Sequence, residues 1–165
     1  MIMRNLSVKK LTFTGLMAAL ICVLTMFPHI PIPAGSGYIH LGDGMIFLAA
    51  MLLGPQAVAA AALGSALSDL VGGYMAYLLP TAIIKGAMAL IAWKCCRREH
   101  WLQTLVAFIL AELAMVAGYF LFEAVMYGVP AAIGAVGPNM IQGLGGVVVG
   151  MLCRLVVPRL EKVMK

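Results

Sequence analysis

The sequence predicts an all-α integral membrane protein: one bundle of six transmembrane helices, both termini cytoplasmic, with a short second helix. Three observations carry that prediction. Apolar runs near the roughly 20 residues needed to cross a bilayer recur from end to end. Of the 165 residues, 64% are hydrophobic and only 10% charged, against about 25% charged in a soluble domain. The basic residues fall in short clusters between apolar runs, as orientation signals do. The formal charge of +5 therefore speaks of membrane orientation, not of nucleic acid. Residues 1–165 form a single membrane domain, with no room for a soluble one.

Residues 1–10 read as a basic cytoplasmic leader containing Arg4, Lys9 and Lys10. Helix 1 follows from about Leu11 to Phe27, as a retained span with no convincing small-residue cleavage site after it. Pro28, Pro31 and Pro33 then enforce an extended segment. Residues 28–43 form an outward loop or lid. The region from about Gly44 to Leu70 could be one tilted span or two short ones. Tyr74 to Trp93 is another span, and Lys94, Arg97, Arg98 and Glu99 make a charged loop. Trp101 to Tyr127 is a long span. Gly128 to Pro138 reads as an uncharged loop rich in Gly, Ala and Pro, and Asn139 to Val157 as the last span, before the basic tail.

Charge parity resolves the ambiguous region. The leader, the loop at residues 94–98 and the tail are all basic, so all three belong on the cytoplasmic side. An even number of crossings separates the first two, so Gly44 to Leu70 supplies two. Gly54-Pro55 is the natural break. Met45 to Leu53 then spans only about 14 Å against about 30 Å of hydrocarbon. Starting at Ile39 draws Asp43 below the surface. A short helix with irregular backbone above it is tolerated where it lines an enclosed or watery cavity.

Polar residues gather at one level. Tyr38, His40 and Asp43 lie at the outer end of helix 2, and Asp69 at that of helix 3. Tyr74 and Tyr77 open helix 4, Tyr119 and Glu123 lie in the outer half of helix 5, and Asn139 and Gln142 begin helix 6. Asn139 and Gln142 share a face; so do Glu112, Tyr119 and Glu123, and likewise Tyr74, Thr81 and Lys85. Two amides on one face supply directed donors and acceptors for a neutral polar ligand. Structural roles compete. Lys85 and Glu112, both near mid-membrane, could form an ion pair; Asp69 could be a cap; Glu123 could be solvated; His40 could be a bonded loop residue; the tyrosines could belong to an interfacial belt.

The sequence has no phosphate-binding loop, no His-Glu-x-x-His and no Gly-x-Ser-x-Gly motif. Cys22, Cys95, Cys96 and Cys153 lack metal-ligand spacing. No metal or cofactor is expected. Helix 1 carries Gly15, Ala18, Ala19 and Cys22, spaced as small residues are where helices approach closely in lipid. This face is a candidate partner-docking surface.

Four segments carry a family resemblance: Tyr38-Ile-His-Leu-Gly-Asp43, Gly64-Ser-Ala-Leu-Ser-Asp69, Pro80-Thr-Ala-Ile-Ile-Lys-Gly86 and Pro138-Asn-Met-Ile-Gln-Gly143. Together they resemble a substrate-binding S component of an energy-coupling-factor (ECF) vitamin transporter. The similarity is to the riboflavin-transporter-like branch that includes hydroxymethylpyrimidine and pyridoxine carriers, and it covers nearly the whole chain. It implies a multi-pass protein of a prokaryotic plasma membrane, with an outward-facing vitamin site capped by the loop after helix 1. It implies a membrane scaffold (T) subunit and two cytosolic ATPases as partners. Ala18 and Cys22 would match the family's Ala-xxx-Ala docking positions, with cysteine in place of the second alanine. The expected ligand contacts or their supports are Tyr38, His40, Asp43, Asp69, Tyr74, Lys85, Glu112, Tyr119, Asn139 and Gln142. The competing reading is a small membrane enzyme using Glu112, Glu123 or Asp69 as acid–base groups.

Overall fold

The computed structural model describes residues 8–27, 30–31 and 38–164. Within them the fold is helical, apart from one two-residue ladder. The helices are α1 (Val8–Met26), α2 (Gly42–Leu53), α3 (Gln56–Gly72), α4 (Leu78–Cys95), α5 (Trp101–Tyr127) and α6 (Val129–Met164). A single 3₁₀ turn, Met75–Tyr77, leads into α4. Strands β1 (Ile30–Pro31) and β2 (Tyr38–Ile39) pair antiparallel, with Ile30 opposite Ile39. Residues 1–7 of the expected leader, and much of the expected lid, lie outside the described residues.

Four helical stretches are long and apolar enough to cross a membrane: Val8–Met26, Met75–Cys95, Trp101–Tyr127 and Val129–Lys162. The helices Gly42–Leu53 and Gln56–Gly72 are apolar but shorter. The turn between those two is made by Gly54, whose φ of 64° lies in the left-handed region that favours glycine. Pro55 then supplies a fixed helical φ just ahead of α3.

Packing runs opposite to that of a water-soluble bundle. Large aliphatic side chains such as Leu16, Val23, Leu79, Ile83, Leu144 and Leu152 point outward. Much of the interior is alanine: Ala57, Ala60 and Ala61 on α3, Ala89 and Ala92 on α4, Ala107 and Ala111 on α5. Lipid tails solvate a leucine as well as a protein core does, so small residues take the helix–helix contacts and let backbones approach. At Gly150 an added Cβ would lie 2.6 Å from the Phe47 ring and 3.1 Å from that of Phe108. Those two rings stack with centroids 4.1 Å apart and planes 6° from parallel.

The short helix is central. α2 packs against α1, α3, α4 and α6, and Gly42 to Ala50 is buried except for Met45. One expectation needs correction. Residues 129–138, read as loop, are helical, and α6 is 36 residues long. Pro130 falls in its first turn, where a proline costs no hydrogen bond. Pro138 lies inside the helix, where it removes one backbone donor and its ring crowds the carbonyl of Gly134 four residues earlier. At about 1.5 Å per residue α6 is about 54 Å long, well beyond the hydrocarbon thickness of about 30 Å. Its C-terminal end pairs Glu161 with Arg98, and Arg154 donates to the Arg98 carbonyl at 3.0 Å.

Candidate functional site

The site is built around the start of α2. Asp43, in the first turn of that helix, is fully buried. A buried carboxylate is costly unless it is paired and hydrogen-bonded, and this one is both. Lys85 of α4 places Nζ 2.5 Å from Asp43 Oδ1. Gln142 of α6 donates from Nε2 to Asp43 Oδ2 at 2.8 Å. The amide-rich end of α2 adds a favourable dipole for the negative charge.

Gln142 does more than support Asp43. Its Oε1 accepts the His40 backbone N–H at 2.9 Å, and its Nε2 reaches the His40 carbonyl at 3.3 Å. Two acceptors on one side and a donor on the other fix the orientation of the amide. The His40 ring is set in turn by its own turn: the Gly42 N–H donates to Nδ1 at 3.1 Å, which assigns the ring proton to Nε2.

Above this network lies a cavity of about 310 Å³. Thr25 of α1, His40, and Ser65, Ser68 and Asp69 of α3 form one side. Tyr74, Tyr77, Thr81 and Lys85 form another, and Met115, Tyr119 and Glu123 of α5 with Pro138, Asn139 and Gln142 of α6 close it. Tyr119 donates to Thr81 at 3.1 Å, and Tyr77 to Glu123 at 3.2 Å. The Lys85 ammonium lies 5.7 Å from the centroid of the Tyr119 ring, within cation–π range. Phe122 meets the Tyr77 ring edge-on at 5.0 Å. Pre-formed polar groups converging on a partly aromatic hollow are the usual make-up of a small-molecule site. Larger hollows of about 630 and 640 Å³ lie among Lys9, Lys10, the Gly54–Pro55 turn, Trp93 and the Arg97–Arg98 loop. Neither has a comparable convergence of buried polar groups.

The expected residues divide by place. His40, Asp69, Tyr74, Lys85, Tyr119, Asn139 and Gln142 line the cavity. Asp43 lies behind it and orients Lys85 and Gln142. The Tyr38 side chain is outside the described residues. The expected alternative of a Lys85–Glu112 ion pair is corrected: Lys85 pairs with Asp43 instead, because the central α2 delivers its carboxylate to the depth of Lys85. Both Glu112 carboxylate oxygens are buried without a hydrogen-bond partner among the described residues, against Gly143 and Gly146 of α6. Ser65, Ser68 and Met115 were not foreseen. The two serines lie in a stretch of small residues, where serine reads as packing. The spacing of Ser65 to Asp69, one helical turn, was the available signal.

On α1, Gly15 and Ala19 are exposed and Cys22 is half-buried. Ala18 faces inward, and a Cβ at Gly64 would collide with its carbonyl oxygen.

Comparison with known proteins gives a consistent result. Residues 5–157 match the model of the ECF-type riboflavin transporter, S component. The thiamine precursor transporter HmpT of Lactococcus lactis subsp. cremoris (strain MG1363) is 33% identical over 163 residues, covering 98% of this chain and 93% of that protein. An uncharacterised protein of Pyrococcus woesei is 36% identical over 132 residues, 79% of this chain and 88% of its own. The crystal structure of the S component for biotin from an ECF-type ABC transporter superposes with a TM-score of 0.69 at 20% identity, covering 98% of this chain and 95% of that one. The fold is therefore that of an S component. Such proteins are membrane-embedded binding subunits that carry out no catalysis, which sets aside the enzymatic reading of Glu112, Glu123 and Asp69. This chain belongs to the family of ECF-type riboflavin transporter S components and serves in vitamin uptake.

Proposed function

We propose that this chain captures a thiamine precursor of the hydroxymethylpyrimidine type on the outer side of a prokaryotic plasma membrane. It then delivers that precursor through a T subunit and two cytosolic ATPases. The observation that carries the reading is the 310 Å³ cavity at the outer end of the short α2. Ligand pockets run from about 300 to 1,000 Å³, so this volume favours a single heteroaromatic ring over a tricyclic flavin. Tyr77 and Tyr119 offer ring faces, and His40, Asn139 and Gln142 offer directed hydrogen bonds. The full-length similarity to a protein named as a thiamine precursor transporter supports the same ligand.

In this reading α2 and α3 each cross the membrane, giving six crossings with both termini in the cytoplasm. The basic residues Lys94, Arg97, Arg98, Arg154 and Arg159 then all fall on the inner side. The exposed Gly15 and Ala19, with Cys22, give α1 a small-residue face on which a T-subunit helix can pack closely. Ala18 contributes from within, by letting α1 approach α3.

The test is direct. The protein is purified from a prokaryotic host in mild detergent, and small molecules released on denaturation are identified by mass spectrometry. A pyrimidine precursor in stoichiometric amount is expected. Failure to find one, together with no thermal stabilisation by a panel of B vitamins and their precursors, overturns the reading.

A further inference from the structure

The inner wall of the cavity carries polar atoms that the protein itself leaves unsatisfied. Ser65 and Asp69 stand one turn apart on α3 and both line the cavity. Ser65 is 1% exposed, and its hydroxyl has no hydrogen-bond partner among the described residues. Asp69 is half-buried as a residue, but its Oδ2 atom is buried and likewise unpartnered among the described residues. An orphaned buried polar atom is costly, and a ligand that supplies the missing bond recovers that cost.

The surroundings fix what each atom needs. Tyr119 donates its hydroxyl proton to Thr81, which leaves the Thr81 proton for Asp69, within its hydrogen-bonding reach. A carboxylate oxygen has no proton to give, so Oδ2 is left as an acceptor without a donor. Lys85, paired with Asp43, makes no hydrogen bond to Oδ2. Glu123, the second carboxylate on the cavity wall, adds negative charge nearby. Ser65 can donate or accept, so its hydroxyl adapts to the group beside it.

We infer that Ser65 and Asp69 form the subsite that reads the ligand's amino-pyrimidine edge. An exocyclic N–H donates to Asp69 Oδ2, and the neighbouring ring nitrogen accepts from the Ser65 hydroxyl. This inference rests on the capture reading above and narrows it. The ligand class is an uncharged or cationic aminopyrimidine, and phosphorylated or carboxylate-bearing compounds are turned away by Asp69 and Glu123. The deaminated analogue presents the reverse pattern, a carbonyl oxygen beside a ring N–H, and aims an acceptor at an acceptor.

The experiment is isothermal titration calorimetry on the purified full chain in detergent micelles. The probes are hydroxymethylpyrimidine and the analogue in which oxygen replaces its ring amino group. The wild type is expected to bind the amino form at least about a hundredfold more tightly, since a site built for a donor rejects its lack strongly. Asp69→Asn can turn its NH₂ toward the carbonyl; it is expected to lose at least about tenfold toward the amino form and to close or invert the gap. Ser65→Ala, which removes only a hydroxyl, is expected to weaken the amino form by about tenfold; it decides the matter if Asp69→Asn does not fold. Tight binding of both probes by the wild type overturns the subsite and leaves capture standing. So does an unchanged gap in Asp69→Asn, or unchanged affinity in Ser65→Ala. No binding of any pyrimidine or B vitamin by the folded wild type overturns both.

Discussion

Gln142 and His40 are 102 residues apart in sequence and hold each other at three points: amide oxygen to backbone N–H at 2.9 Å, amide nitrogen to backbone carbonyl at 3.3 Å, and amide nitrogen to Nδ1 at 3.2 Å. The same amide nitrogen reaches Asp43. One side chain of α6 thus fixes the segment entering α2 and the carboxylate that begins it. Gln142→Leu removes these bonds and leaves the groups buried. It should lower stability by about 2–4 kcal/mol, seen as a lower Tm in detergent, and abolish ligand binding. Wild-type Tm and affinity in that variant would contradict the arrangement.

Lys85 and Asp43 should behave as a unit. Either Lys85→Met or Asp43→Asn alone leaves a buried partner uncompensated, at a cost of about 3–5 kcal/mol for the stranded charge. The double variant should cost clearly less than the sum of the two. A double-mutant cycle on Tm measures this coupling, and strict additivity would show that the pair is not formed.

Gly146 leaves room for a carboxyl group. A Cβ there would collide with Glu112 Oε1 and lie 2.9 Å from Asp43 Cβ. Gly146→Ala should therefore cost about 1–3 kcal/mol or more as overpacking. Adding Glu112→Ala should recover part of the folded yield on size-exclusion chromatography, since it removes the closer obstacle.

Tyr119→Phe keeps the ring and loses the hydroxyl that donates to Thr81. It should weaken ligand binding by no more than about tenfold. Tyr119→Ala removes the ring as well and should weaken it considerably more, because aromatic contacts add to the area they bury. Equal losses in the two variants would show that the ring makes no contact with the ligand.

The exposed face of α1 gives a different readout. Ala19→Leu should leave ligand affinity of the isolated chain unchanged while abolishing vitamin uptake by cells that express the T and ATPase subunits. Normal uptake would remove this face from the docking surface.

Much of the fold was legible because membrane constraints are blunt. α5 spans Trp101–Tyr127, as its uninterrupted apolar run between a charged loop and a glycine indicates. Gly54-Pro55 marked a turn because few other residues adopt that backbone. The start of α6 was not legible: Gly, Ala and Pro over residues 128–138 carry the composition of a loop, and nothing local says that the helix continues through Pro138. The ion-pair partner of Lys85 was hidden for a related reason. Depth along each helix can be read from sequence, but which helix occupies the centre cannot. Once α2 is central, Asp43 and not Glu112 faces Lys85.

The shortness of α2 has a consequence for the axis of the bundle. With 12 residues, about 18 Å of helix, it fills only part of the column that its neighbours surround. The cavity begins at His40, where another turn or two of helix would otherwise stand. Under the proposed function, a ring held there would stand in line with the central helix and close the axis of the bundle. On that reading, ligand binding and the closing of the bundle axis would be a single event.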